Sequence, residues 1–385
     1  MDFKDWFCLN QRESFTIDAK INPADARFYF GRQQLEERMQ RQLARSFVDP
    51  QVPKMMVWGP YGCGKTQTLY YLADRLQKNK PASCKNSPYV VHLEIEVQSK
   101  STAANWHLQN MEALGMQKVQ GWLQSLYHKS ADFDSELSKL TSDPNIAKAF
   151  EHLRGTGGQA FTAWRWLCGQ KLSAGDLQTI NVTRNLGDVG VGDLVVALQA
   201  CGNLARAVGE CLVFFMDEME ELQNVREGDA AESWHQYTRK LAEPSNSSVG
   251  FIIGFKADTR DDAPRIFIRP DITGRVGAHN YIELETLAAP ANVSQFVEEM
   301  LAHLVDQPEA EKRIQTDGSP STARTYPFTA SAFDLMCDYA CQDAIKSTPR
   351  NIIKTINECA IAAWDAKKKV IDDDIVNEIA PIIFD

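Results

Sequence analysis

No stretch of the chain approaches the eighteen or so consecutive apolar residues that a membrane-crossing helix needs, so a bilayer span is not expected. Positive charge is scarce: 41 Lys and Arg stand against 51 Asp and Glu, for a formal net charge of −10. Such a surface repels a phosphate backbone, and any DNA contact has to come from a local patch. The local basic clusters are Lys367-Lys368-Lys369 and Arg260 with Arg265 and Arg269. Metal-binding cysteine pairs are missing as well. The nine cysteines include no CxxC pair and no Cys/His cluster at zinc spacing. Cys337 and Cys341 stand one helical turn apart, but no second pair accompanies them, and the thiols are expected to be reduced and mostly buried. The start, Met1 to Trp6, lacks a cationic region and an apolar region of secretory type, so a cytoplasmic location is expected. There is no internal repeat.

A length of 385 residues exceeds what one core usually supports, and two packed domains are expected. Four short apolar segments read as buried strands of a parallel sheet: Lys54 to Trp58, Tyr89 to Val97, Cys211 to Met216 and Val249 to Phe255, with Tyr281 to Leu284 as a weaker fifth. Helical patterns between them give the alternation of a doubly wound α/β layer. After about Leu287 the strand signals stop. Helical pieces follow at Asn292 to Leu304, Ala330 to Ile345, Arg350 to Lys367 and Asp372 to Ile379, with a loop at Thr316 to Pro327. Between the second and third strands lie more than a hundred residues, far beyond one crossover helix, so an insertion is expected. Its Trp106, Leu108, Met111, Leu114, Trp122, Leu123, Leu126 and Tyr127, and further on Phe161, Trp164, Trp166 and Leu167, recur at helical spacing and are expected to form core.

The segment Gly59-Pro60-Tyr61-Gly62-Cys63-Gly64-Lys65-Thr66 satisfies GxxxxGK[ST] at every fixed position. It directly follows an apolar strand and opens the helical pattern Thr68 to Leu76. Glycines permit a tight loop whose N–H groups face inward, and the helix start adds its partial positive charge at the same place. That concavity suits a triphosphate, so ATP with Mg²⁺ is the expected cofactor. Lys65 would neutralise the outer phosphates and the Thr66 hydroxyl would sit on the metal, with Gln67 completing the segment. The run Cys211 to Met216 ends in Asp217 and Glu218, which reads as a buried strand delivering carboxylates to a sheet edge. Asp217 is expected to hold the Mg²⁺ shell and Glu218 to act as base toward the attacking water. Glu220 and Glu221 read as an exposed acidic helix start.

With these residues, the chain resembles an AAA+ ATPase of the origin-recognition and initiator-loader type, and is similar to related ATPases of bacterial transposition and phage defence. Phe30-Gly31-Arg32 followed by Leu35, Met39 and Leu43 resembles the first helix of that family, which packs near the adenine, so the resemblance implies a nucleotide contact at Gly31 and Arg32. Ser347-Thr348-Pro349-Arg350-Asn351-Ile352-Ile353 resembles its sensor-2 motif, in which the arginine, here Arg350, reaches the γ phosphate. The resemblance spans roughly Phe30 to Ile379. It implies an N-terminal segment 1–27, an α/β parallel-sheet P-loop ATPase domain 28–288 in which about 98–205 is a helical insertion, and an all-α lid 289–385.

Two positions depart from the family. Its fourth strand ends in a polar sensor-1 residue such as Asn, whereas Val249 to Phe255 runs into Lys256. For the arginine finger that the family supplies to a neighbouring subunit, Arg275 is the candidate, with Arg269 and Arg265 as alternatives. The lid is not followed by a winged helix, which weakens transfer of origin binding. The leading expectation is an oligomerising ATPase switch in a DNA transaction such as phage defence, transposition targeting or enzyme loading, with an effector or nuclease as partner. The alternative is a STAND-like signalling ATPase controlling an effector protein. A small-molecule kinase is disfavoured by the long insertion and the Pro-Arg lid.

Overall fold

The computed structural model describes residues 2–10, 12–47, 51–81 and 84–384. They form two compact units. A helical unit comprises the N-terminal residues to Met39, then Gly59–Tyr71 and Glu283 onward; a sheet unit comprises Gln40–Trp58 and Leu72–Ile282.

The sheet unit is built on five strands, β1 (Lys54–Gly59), β2 (Tyr89–Glu94), β3 (Leu212–Asp217), β4 (Val249–Lys256) and β5 (Tyr281–Glu283). They make one parallel sheet in the order β2-β3-β4-β1-β5. Tyr89 to Glu94 align with Leu212 to Asp217, and Leu212 to Met216 with Val249 to Ile253. β3 is buried along its whole length, as a central strand covered on both faces has to be. The strands lie on the apolar segments that predict them, with one difference: β2 stops at Glu94 instead of reaching Val97. Its hydrogen-bonding neighbour β3 ends opposite Glu94, so no ladder remains for Ile95 to Val97.

Seven helices fill the β2–β3 connection among the described residues, from Ala103–Leu114 to Val191–Ala207. Local caps start several of them: Asp132 accepts the Ser135 N–H, Asp143 accepts the Asn145 N–H, and Ser173 with Asp176 forms a capping box. Trp106, Met111, Leu114, Trp122, Leu123, Leu126, Trp164, Trp166 and Leu167 are buried as the periodicity predicts. Tyr127 and Phe161 are exposed instead, and the Arg154 guanidinium lies 3.9 Å from the Tyr127 ring centroid, covering one face with charge.

The expectation of reduced thiols is corrected at one pair. Cys84 and Cys211 form a disulfide, with Cα atoms 6.4 Å apart and a sequence separation of 127. Each precedes a strand, and β2 and β3 are in-register neighbours, with the Tyr89 N–H donating to the Cys211 carbonyl at 2.8 Å. Strand pairing therefore brings together cysteines whose spacing carries no signal. Cys8, Cys168, Cys201, Cys337, Cys341 and Cys359 are free thiols.

The helical unit packs Pro290–Leu304, Gln307–Asp317, Ala330–Gln342, Pro349–Asp365 and Asp373–Phe384 around Val297, Met300, Leu301, Ile352, Ile356 and Val376. N-terminal residues complete this core: Phe7 and Phe15 are buried in it, and Leu9 bridges to Val305. Gln307–Asp317 is a helix that apolar periodicity does not reveal, because only Ala310 is buried on it. Its signals are its ends, Asp306 as N-cap with proline in the first turn, and Gly318 in the left-handed region as C-cap.

One buried group ties the insertion to the rest of the sheet unit. His107 Nε2 lies 2.8 Å from the Leu167 carbonyl and Nδ1 lies 3.2 Å from the Tyr237 hydroxyl. A carbonyl only accepts, so Nε2 carries the proton and Nδ1 accepts from Tyr237. Burial holds this ring neutral, lowering its pKa from 6.5 to about 4. Between those values the unfolded chain binds a proton that the folded chain does not, so stability falls as pH drops through that window. Urea denaturation should show the midpoint decreasing from pH 6.5 toward pH 4, and the decrease should be smaller in His107→Asn.

Candidate functional site

β1 is buried from Met55 to Gly59 and opens into the glycine loop. Gly62 and Gly64 have φ of +83° and +87°, the left-handed region that glycine enters without strain. A Cβ on Gly62 would stand 2.8 Å from Thr348 Oγ1, whereas one on Gly64 would meet nothing within 4 Å. Gly62 is thus fixed by backbone conformation and by close approach, Gly64 by backbone conformation alone, with open space beside it. The helix Lys65–Lys78 begins where the loop ends, and the Thr68 N–H returns to the Gly64 carbonyl at 2.8 Å. Lys65 Nζ lies 3.1 Å from the Gly59 carbonyl and 3.0 Å from the Pro60 carbonyl, so its charge is held across the loop.

Within the same unit the loop is braced from several sides. Arg32 donates through Nη1 to the Cys63 carbonyl at 3.0 Å and through Nη2 to the Glu285 carbonyl. The neighbouring Gly31 N–H donates to Glu299 Oε2 at 2.7 Å. Gln67 Nε2 donates to the carbonyls of Asp25 and Phe28 at 2.7 and 2.8 Å, so its amide secures the segment before Phe30. Tyr29 stacks on Tyr71 with centroids 5.0 Å apart, and burial raises its phenol pKa. Thr348 caps the helix Pro349–Asp365, and the Arg350 N–H donates to the Gly62 carbonyl at 3.2 Å. The Arg350 guanidinium lies 4.7 Å from the Tyr61 ring centroid, and its Nη1 bonds the Tyr61 hydroxyl. Arg32 and Arg350 thus contact the loop itself, whereas Gly31 is held by Glu299 and Gln67 holds the segment Asp25 to Phe28. Glu285 and Glu299 escape the sequence reading and carry no local signal, whereas Thr348 belongs to the motif quoted above and its Thr348-Pro349 pair carries a capping signal.

In the sheet unit, Asp217 closes β3 and is 8% exposed, opposite Glu94 on β2. Its Oδ1 accepts the Glu218 N–H at 2.9 Å. Glu218 has φ 58° and ψ 29°, a conformation that costs a non-glycine residue energy, and its side chain is exposed. Glu220 and Glu221 lie in the turn Met219–Asn224; Glu220 is half-buried and accepts the Lys256 N–H at 2.8 Å, bracing the end of β4, while Glu221 is exposed. No group of three or more His, Cys, Asp or Glu side chains able to hold a metal by itself occurs among the described residues. A Mg²⁺ ion sharing one or two protein oxygens with phosphates and water needs no such group.

The arginine candidates differ in their surroundings. Arg275, half-buried in the helix Pro270–Val276, donates to the Asp271 carbonyl at 2.6 Å. Arg265 pairs with Glu227 at 2.9 Å, both exposed, and Arg269 lies 3.7 Å from Glu232 and 3.6 Å from Asp271. Lys368 pairs with Asp372 and Lys369 with Asp317. Both basic clusters are thus partly neutralised by acids.

A five-stranded parallel sheet in this order, with a glycine loop after β1, an acid pair at the end of β3 and a C-terminal helical region, is the layout that the AAA+ resemblance leads one to expect. No family model and no curated protein sequence matches the chain. Among solved structures it is similar to the Aeropyrum pernix ORC1 protein in complex with DNA, at 10% identity and TM-score 0.45, covering 95% of this chain and 69% of that one. The Aeropyrum pernix ORC2 protein, in ADPNP and ADP complexes, gives 11% identity and TM-score 0.49 over 92% of this chain and 68% of that one. Domain III of the Thermotoga maritima replication initiation protein DnaA gives 9% and 0.39, covering 98% of each.

The two loop glycines predict unequal effects. Gly64→Ala adds backbone strain alone and should cost about 1 kcal/mol, whereas Gly62→Ala adds a clash with Thr348 and should cost more. Urea denaturation of both variants checks the order.

Proposed function

We propose that the chain binds ATP with Mg²⁺ through Gly59 to Thr66 and hydrolyses it. The observation that carries this reading is the loop itself, in which left-handed glycines, a lysine held across the loop and a helix start converge while Arg32 and Arg350 fix its rim. Inward N–H groups and the helix dipole supply positive potential for a phosphate chain, and Lys65 adds a full charge at its outer end. Thr66 and Asp217 are the proposed protein partners of a Mg²⁺ ion, which would supply Lewis acidity toward the phosphate chain. Glu218, directed out of β3 by its left-handed backbone, is the proposed base that accepts a proton from the attacking water. Arg350 is the proposed link between the γ phosphate and the lid.

The wider reading is an ATPase switch that assembles in its ATP state and acts in a DNA transaction, such as defence against foreign DNA, transposition targeting or enzyme loading, with an effector protein as partner. Its DNA half rests on the sequence resemblance. Arg275 is the proposed finger for a neighbouring copy, which would make activity per chain rise with protein concentration. With a net charge of −10 and both basic clusters partly paired, DNA binding should require assembly and weaken steeply with salt.

Lys65→Ala should remove most ATP affinity in a direct titration; unchanged binding would exclude the loop as the phosphate site. Glu218→Gln should bind ATP normally and turn it over at least about a hundredfold more slowly, because an amide cannot take the proton. Arg275→Ala should abolish any rise of specific activity with concentration, and a wild-type rise in that variant would assign the finger elsewhere.

A further inference from the structure

The third residue of the glycine loop is a tyrosine that serves as the resting place of an arginine. Tyr61 is 61% exposed, so burial does not account for its position. Its ring faces the Arg350 guanidinium at 4.7 Å and its hydroxyl bonds Arg350 Nη1. The backbone of Arg350 is fixed independently, through its N–H on the Gly62 carbonyl and the approach of Thr348 to Gly62. The guanidinium can therefore change partners while the helix start stays on the loop.

We propose that Tyr61 competes with the terminal phosphate of a bound nucleoside triphosphate for Arg350, and so sets how strongly the protein distinguishes triphosphate from diphosphate. The proposal rests on reading the loop as a phosphate site. A γ phosphate offers charge-assisted, bidentate acceptors that outbid a neutral hydroxyl and an exposed aromatic face. A triphosphate then gains Arg350 only by breaking the Tyr61 contact. A diphosphate lacks that phosphate and leaves the contact intact. Only triphosphate affinity carries the cost of the break, so Tyr61 acts as a positioning residue that moderates selectivity. Removing it should increase the preference for triphosphate, contrary to the loss expected if Tyr61 simply supported the loop.

The test is calorimetric titration of the full chain with Mg²⁺ and either the β,γ-imido analogue of ATP or ADP. Tyr61→Leu, which removes ring contact and hydroxyl, should tighten the analogue and raise the ratio of its affinity to that of ADP about three- to tenfold. Tyr61→Phe keeps the ring and should give a smaller gain of the same sign. In an Arg350→Ala background both gains should vanish, because the competitor then has nothing to hold. An unchanged analogue-to-ADP ratio in both single variants, or a weaker analogue, would overturn the competition while leaving the phosphate site standing. Absence of nucleotide binding by the wild type would overturn the phosphate-site reading and this proposal with it.

Discussion

Parallel strands cannot be joined by tight hairpins, and every strand must leave its carboxyl end through a connection that crosses back over a face of the sheet. Much of this molecule follows from that constraint. β1 leaves as the glycine loop and the helix Lys65–Lys78, β3 leaves through Asp217 and the left-handed Glu218, and β4 ends at Lys256, whose N–H is held by Glu220. The β2–β3 crossover absorbs the whole helical insertion, and the Cys84–Cys211 bond joins the segment that enters β2 to the residue that enters β3. Insertion at a crossover leaves the strand ladder intact, because β2 and β3 stay in register from Tyr89 and Leu212 onward.

The helical unit is more than a bundle standing on its own. Gly59–Tyr71 and the N-terminal residues share its compact body, so the proposed phosphate loop is held by helices from the far end of the sequence. Arg32, Gln67, Glu299 and Arg350 all form hydrogen bonds with the loop or with the segment beside it, and Thr348 closely approaches Gly62. A change of charge within the loop would be felt first by Lys65 and Arg350, because each carries its guanidinium or ammonium on loop atoms.

The strands were legible because each is a short apolar run bounded by polar or turn residues, and the loop because its fixed positions follow a strand and open a helix. Pro349-Arg350 was singled out through the resemblance, and in the structure the Arg350 N–H donates to the Gly62 carbonyl. What escaped the sequence lacks a local pattern. The Cys84–Cys211 bond depends on strand order, Gln307–Asp317 buries one side chain, and Phe7 and Phe15 join a core formed by residues some three hundred positions away. Tyr127 and Phe161 fitted the helical spacing, yet spacing identifies a face without saying whether another element covers it. Glu218 read as a carboxylate at a strand end, while its left-handed backbone became visible only in three dimensions.

Hydrogen–deuterium exchange of the full chain, with and without the β,γ-imido analogue of ATP and Mg²⁺, tests the central claim most directly, since it locates the ligand without assuming its site. The account predicts slowed exchange in peptides covering Gly59 to Thr68 and Thr348 to Ile352. Protection confined to other segments, or no difference at saturating ligand, would contradict it.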